Sequence, residues 1–401
     1  MNVVVAIDSL KGSLTSLEAG HAIRSGILRA NPATSVQVRP LADGGEGTVD
    51  ALTSGLGGTV HTVSVTGPLG ETVPARYGIL DDGTTAVIET AAAAGITLVP
   101  EAQRNPLYTT TYGVGEMIRD AIEKGCRHFI VGIGGSATND GGAGMLQALG
   151  FGLLTGEGQP VPFGARGLAA LSAITVHGAL PALRDCSFRI ACDVANPLCG
   201  PQGASAVYGP QKGADGPTAA RMDGWLRSFS LLAQKTFPRA DAEYPGTGAA
   251  GGLGFAFLTF TNAVLEPGVQ IVLEETRLEE YIRAADIVVT GEGRLDGQTV
   301  MGKAPFGVAR LAKKHRKPVI AFAGCVAEDA GICNRHGIDA FFPILRGAAT
   351  LQEAMEPGNA KRNMADTAEQ VFRLLPLLSQ ARAGNAGAAE EPAAGPGPSR
   401  E

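Results

Sequence analysis

The sequence predicts an α/β fold: a Rossmann-like parallel-sheet domain formed by both chain ends, with a second, mixed α/β domain inserted between them. Three observations carry this. The chain opens on a continuous β-branched run, Val3–Ile7, of the kind buried on both faces in a parallel sheet. Strand-like and helix-like segments alternate at the start of the chain and again from residue 278 onwards. Between these stretches the rhythm changes after Gly67-Pro68, and a strong hairpin signal, Asp82-Gly83, comes next.

Thr15–Ala30 has helical spacing (Leu17, Ala22, Ile23, Ile27), with Thr15 as N-cap and Asn31-Pro32 as stop. Ser35–Leu41 reads as a second strand, Gly47–Leu56 as a short helix and Thr59–Val65 as a third strand of the same sheet. Pro74–Leu80 and Thr84–Glu89 flank the hairpin turn. Helices are expected at Thr110–Lys124, Gly142–Leu149 and Pro217–Phe237, and strands at His128–Ile133 and Phe188–Cys192. The alternation then returns with a helix at Leu278–Ala285, a strand at Asp286–Thr290 and a helix at Gly302–His315. Strands at Pro318–Ala323 and Ala340–Leu345 and a helix at Met364–Gln380 close the pattern. The domains are therefore expected at 1–72 plus 277–380 and at 73–276. Residues 381–401 are Ala, Gly, Pro and Glu with little to bury, and read as a disordered tail.

At 401 residues with 44% hydrophobic and 18% charged, the chain can fill two packed cores. Lys+Arg 33 against Asp+Glu 39 gives a net charge of −6 with no basic block, and one Trp leaves no stacking platform, which argues against a nucleic-acid partner. No run of some 18 apolar residues appears, so no membrane span is expected. The start lacks the basic region of a signal peptide, and the six cysteines form no C-x-x-C pair; both point to reduced thiols in the cytoplasm.

In open parallel sheets ligands bind beyond the carboxyl ends of the strands. The segments just beyond the strands are alike here. Asp8-Ser9-Leu10-Lys11-Gly12 comes after the first and Asp43-Gly44-Gly45-Glu46-Gly47 after the second. Gly134-Gly135-Ser136-Ala137-Thr138-Asn139-Asp140 comes after His128–Ile133. Asp193 and Asn196 lie beyond Phe188–Cys192, and Gly291-Glu292-Gly293-Arg294-Leu295-Asp296 beyond Asp286–Thr290, with Lys303 further on. Glycines let backbone N–H groups close on phosphate oxygens, carboxylates hold Mg²⁺, and cations offset developing charge, which are the parts of a phosphoryl-transfer site. Plainer roles stay open. Asp8 could cap the helix near Thr15, the Asp43–Thr48 and Thr138–Gly142 stretches could be turns, and Arg294 could pair with a neighbouring acid. Gly132–Ala137 also fits G-x-G-x-x-A, with Glu157 about 20 residues on, as in dinucleotide-binding folds.

At these loops the sequence resembles the bacterial glycerate kinase family of the glycerate 2-kinase type. The matching runs include PLADGGEGT at Pro40–Thr48, NPLYTTTYGVGE at Asn105–Glu116 and GIGGSATNDGGAGMLQALG at Gly132–Gly150. ACDVANPLCGPQGAS at Ala191–Ser205, YGPQKGA at Tyr208–Ala214 and TGEGRLDGQTVMGKAP at Thr290–Pro305 continue the match to about Leu375. The resemblance implies transfer of the γ-phosphoryl group of ATP to glycerate with Mg²⁺, in a cleft between two domains, giving 2-phosphoglycerate. It leaves a homodimer open. On that footing Lys11 and Ser9 are expected to contact phosphate or the glycerate carboxylate, and Gly134, Gly135, Ser136, Thr138 and Asn139 to form an anion cradle. Asp193 is the expected general base. Arg294 and Lys303 would offset transferred charge, Glu292 and Asp296 would hold Mg²⁺, and Asp8, Asp43, Glu46, Asp140 and Asn196 would complete the substrate site. The competing readings are an NAD-dependent hydroxy-acid dehydrogenase, resting on Gly132–Ala137, a 3-kinase, and a non-catalytic sugar-acid sensor.

Overall fold

A computed structural model describes residues 1–388. The chain forms two main sheets. The first is built from β1 (Asn2–Val5), β2 (Ser35–Val38), β11 (Ile287–Leu295), β12 (Val319–Val326) and β13 (Ala340–Pro343). All five run parallel, in the order β13-β12-β11-β1-β2. The second contains β3 (Thr59–Thr66), β4 (Thr72–Ile79), β5 (Thr85–Glu89), β6 (His128–Gly132), β9 (Ser187–Ala191) and β10 (Ala263–Glu266). Their order is β10-β9-β6-β5-β4-β3. A small antiparallel pair, β7 (Gly152–Leu154) and β8 (Ala173–Thr175), stands apart.

The apolar run of β1 is buried on both faces, as a central parallel strand requires. One face meets the helix Ser16–Ala30, whose start is fixed by a capping box: Thr15 accepts from the Glu18 N–H, and Glu18 accepts from the Thr15 N–H. Ala19, Ile23 and Ile27 of that helix share a core with Val289, Phe322, Met364 and Phe372. The last two lie on the helix Pro357–Ala388, so the two chain ends pack together. Gly26 permits this: a Cβ there would lie 2.0 Å from the Ala365 carbonyl oxygen. The same helix continues to Ala388, inside the stretch expected to be a disordered tail, and residues 389–401 lie outside the described ones.

The second sheet is mixed. β3, β4 and β5 are antiparallel neighbours, whereas β5, β6, β9 and β10 run parallel. Asp82 shapes the β4–β5 turn by accepting the N–H groups of Thr84 and Thr85. Phe129 and Phe188 stack across β6 and β9 with ring centroids 4.7 Å apart.

One strand departs from expectation. β3 lies not in the first sheet but at the edge of the second, paired with β4. Its sequence, TVHTVSVT, alternates and stays half exposed, which suits an edge strand rather than a buried parallel one. β10 and the helix Gly268–Glu275 behind it are additions to the expected pattern. Among the described residues no helix is long and apolar enough to cross a membrane.

The two sheets are not separated by solvent. Val4, Leu41 and Leu52 from the first half share one buried cluster with Val87, Ile130 and Ala191 of the second sheet and Ile271 behind it. The closest approach is backbone on backbone. A Cβ on Gly132 would sit 2.3 Å from the Gly44 carbonyl oxygen, and one on Gly44 would sit 2.7 Å from Gly268 Cα. Gly44 also has φ +86, a conformation that favours glycine. Gly132→Ala is therefore expected to cost about 1–3 kcal/mol, read as a lower urea midpoint. An unchanged midpoint would mean that this contact does not hold the sheets together.

Candidate active site

This junction brings the carboxyl ends of β1 and β2 to face those of β5, β6 and β9. Between them lies a cavity of ≈ 850 Å³, lined by Lys11 and Asp43–Glu46 from one side and Glu89, Ile133–Ser136 and Ala191–Val194 from the other. Tyr208, Gln211 and Lys212 close it. A second cavity of ≈ 460 Å³, bounded by Tyr112, Phe151 and Phe163, carries no charged side chain and offers no comparable chemistry.

Three carboxyl groups in or beside the main cavity are held away from their ordinary acidity. Asp8 is only 7% exposed, and its carboxyl is pushed up to about 7 by burial, with the charges of Asp43 and Glu292 adding to it. The Ser9 N–H, 2.7 Å from Asp8 Oδ1, and Lys11 act against that rise. Asp193 is raised by burial first and by Asp43 second, and the Gly268 N–H donates to its Oδ1 at 3.0 Å. Glu89, the last residue of β5, is raised by burial while it accepts the Val49 N–H at 2.9 Å. Lys11 reaches Asp43 at 3.6 Å with its side chain 61% exposed, so it is free to reorient. Glu46 is exposed on the same rim.

The loop after β11 forms an adjoining patch. Lys303 Nζ sits 3.4 Å from Glu292 and 3.5 Å from Asp296, and Arg294 lies 3.4 Å from Asp296. Thr299 donates to Glu292 Oε1 at 2.6 Å. None of these four charged residues lines the 850 Å³ cavity. Gly293 packs over Leu10 and Lys11, so the Asp8–Lys11 loop stands between the patch and the cavity.

The loop after β6 divides in two. Gly134, Gly135 and Ser136 face the cavity. Thr138, Asn139 and Asp140 do not: all are fully buried behind it. Asp140 accepts the Thr111 N–H and hydroxyl, both at 2.9 Å, and the N–H groups of Gly142 and Gly144 at the start of the next helix. Asn139 donates to Ser205 Oγ at 2.8 Å. Asn196 spends its amide on the Gln202 carbonyl and the Tyr208 hydroxyl. None of these residues lines the cavity as they were expected to; their polar groups brace the loops around it. The dinucleotide pattern fails for a similar reason. The helix after Gly132–Ala137 opens only at Ala143, and Glu157 lies on an exposed turn after β7, a strand antiparallel to β8.

The profile of the glycerate kinase family matches residues 3–376. The chain belongs to that family. Among similar proteins, the glycerate kinase of Haemophilus influenzae is 47% identical over 375 residues, covering 94% of this chain and 99% of that one. The glycerate 2-kinase of Escherichia coli K12 is 46% identical, covering 92% and 98%. A crystal structure assigned as glycerate kinase 2 from Salmonella typhimurium LT2 superposes with a TM-score of 0.88 at 45% identity, over 95% of this chain and 99% of that one. The glycerate kinase fold and phosphotransferase class therefore apply to the chain over residues 3–376.

Two residues of this glycerate-kinase-family cavity lie outside the strand ends expected to carry ligands. Glu89 ends a strand that reads in sequence as half of a hairpin, a place where ligand groups are not expected. Lys212 comes after a short helix, Ala204–Tyr208, and lies in a Pro/Gly turn without periodicity.

Proposed function

We propose that this chain is an ATP-dependent glycerate kinase that transfers the γ-phosphoryl group to the 2-hydroxyl of glycerate, giving 2-phosphoglycerate and ADP. The observation that carries this is the convergence in one cavity of Asp193, the Asp43–Lys11 pair and the Gly134–Ser136 turn, drawn from both sheets. Such a set can hold anionic groups and take a proton, which is what the reaction asks of the protein.

Asp193 is fixed by Gly268 and raised in proton affinity by its burial, so it suits the acceptor of the hydroxyl proton. As that proton leaves, the glycerate oxygen forms its bond to the γ-phosphorus and the bond from phosphorus to the ADP oxygen breaks. Lys11 and the Gly134–Ser136 backbone would hold the anionic ends of the two substrates. The acids around β1 and β11 have the chemistry for a hard divalent cation. Asp8, Asp43 and Glu292 carry more negative charge than Lys303 and Lys11 offset, and the Asp8 carboxyl, raised chiefly by burial, is raised further by Asp43 and Glu292. Glu292 and Asp296, with Asp8 beside them, would hold Mg²⁺. Among the described residues no three such groups converge as a ready metal site, so one or two carboxylates with water and phosphate oxygens would complete the shell. When bound, Mg²⁺ neutralises charge on the transferring phosphates.

The 2-position is supported by the relative named glycerate 2-kinase. All six cysteines are unpaired, which suits the reducing cytoplasm where we place the enzyme. The test is to incubate the protein with glycerate and Mg·ATP and add enolase without phosphoglycerate mutase. Immediate phosphoenolpyruvate is expected. Product only after mutase is added would mean the 3-phosphate, and no ATP-dependent loss of glycerate would sink the kinase reading altogether.

A further inference from the structure

We propose that Lys212 supplies the positive charge of an anion subsite on the Gly134–Ser136 turn, binding phosphate or carboxylate oxygens of a substrate. This rests on the cavity being the phosphotransfer site. Lys212 lines that cavity yet is only 3% exposed. Its Nζ donates to Ser136 Oγ at 2.9 Å and to the Thr138 carbonyl at 2.6 Å, both neutral acceptors. An ammonium has three hydrogens, and among the described residues the third has no partner.

A buried cation with no ion-pair partner is expensive for a fold to keep. Asp140 is the carboxylate whose charge reaches Lys212, but its oxygens are already filled by Thr111, Gly142 and Gly144. Burial accordingly drives the ammonium down to about 7, against which Asp140 works only in part. A lysine kept for packing alone would be paired or would reach water.

Gly134 is the independent observation. A Cβ there would meet nothing within 4 Å, and its φ is not in the left-handed region. Nothing in the protein requires glycine at that position. What sets it apart is its place on the cavity wall, where bare backbone lets a ligand approach closely. Lys212, held on Ser136 and Thr138 of this turn, and the bare backbone of Gly134 thus line the same cavity wall.

The test compares wild type, Lys212→Met and Lys212→Arg by calorimetric titration with inorganic phosphate, Mg-free ADP and glycerate in turn, alongside steady-state kinetics. Folded Lys212→Met is expected to lose about tenfold or more in affinity for phosphate and ADP together, or for glycerate, with KM of the same substrate rising. Lys212→Arg should retain part of it. Loss on the first pair places a phosphate there, and loss on glycerate places its carboxylate. A lysine that only props the loop would lower the melting temperature and leave the affinities of the folded protein alone, which overturns the proposal. Should Lys212→Met not fold, acylation of Lys212 in the wild type, read by peptide mass, decides: protection by these ligands supports the subsite and no protection overturns it. Wild-type turnover of glycerate tests the kinase reading separately, so turnover with an indifferent Lys212 would fail this inference alone.

Discussion

Asp193→Asn should lower kcat by about 10²-fold or more while leaving the protein folded. The substitution is unusually clean at this position. Among the described residues the Asp193 side chain receives one hydrogen bond, from the Gly268 N–H, and an asparagine oxygen can receive it equally well. What the amide cannot do is take the hydroxyl proton. Because partial desolvation and the nearby Asp43 charge hold the carboxyl up, removing its charge relieves an unfavourable interaction, so the melting temperature should hold or rise. KM for glycerate should change less than kcat, since the lost interaction belongs to the transition state. The upward shift of Asp193 also sets a sign for pH. The acid limb of the wild-type rate profile should lie above the range of an ordinary aspartate and should vanish in the variant. Kinetics and thermal melts on the same samples check all of this. A fall in kcat of less than about tenfold would remove Asp193 from the role of base.

How much the residues reveal unaided depends on which physical signals are local. The buried run of β1, the Thr15 N-cap and the Asp82 turn are each written within a few residues, and each stands in the structure as expected. The alternation of β3 identifies a strand, but its place in the first sheet does not hold, because an alternating strand suits a half-exposed edge. β10 is four residues ending at Glu266-Pro267, too short to separate from a turn. The rim of strand ends is legible as a rim, but the direction in which a loop residue points is not. Asp140 and Ser136 sit in one glycine-rich stretch and look equally available. One is sealed behind the loop by Thr111 and the next helix, and the other faces the cavity. That choice is made by long-range contacts, and no spacing rule contains it. Lys212 is the reverse case, an unremarkable lysine in sequence that tertiary burial turns into the most costly cation of the cavity.

Asp8→Asn should raise the stability of the ligand-free protein at pH 8 and at the same time lower kcat/KM by at least about tenfold. The stability half comes from linkage. The Asp8 carboxyl moves from an ordinary 3.8 to about 7 on folding, so the folded protein binds a proton there that the unfolded chain has already lost. The stabilisation is fully present below about pH 4 and is lost as pH rises through about 7. A displacement of that size corresponds to roughly 4 kcal/mol between the two ends of the window. Asp193, Glu89 and Glu292 are raised in the same direction, so the wild-type curve should be steeper than Asp8 alone would make it. The difference between wild type and variant isolates Asp8. Lys212 acts oppositely and later: its lowered pKa adds stability as pH climbs from about 7 towards 10.5. Asparagine keeps an oxygen for the Ser9 N–H, so the loop itself should survive. Added Mg²⁺ should flatten the wild-type curve above about pH 7 and shift the variant less, because a cation beside Asp8 offsets the penalty that the substitution removes chemically, while Glu292 and Asp296 remain in both proteins. Parallel melting curves for the two proteins from about pH 4 to 8 would show that Asp8 carries no such penalty. The acids at this end of β1 would then have to be assigned a purely structural part.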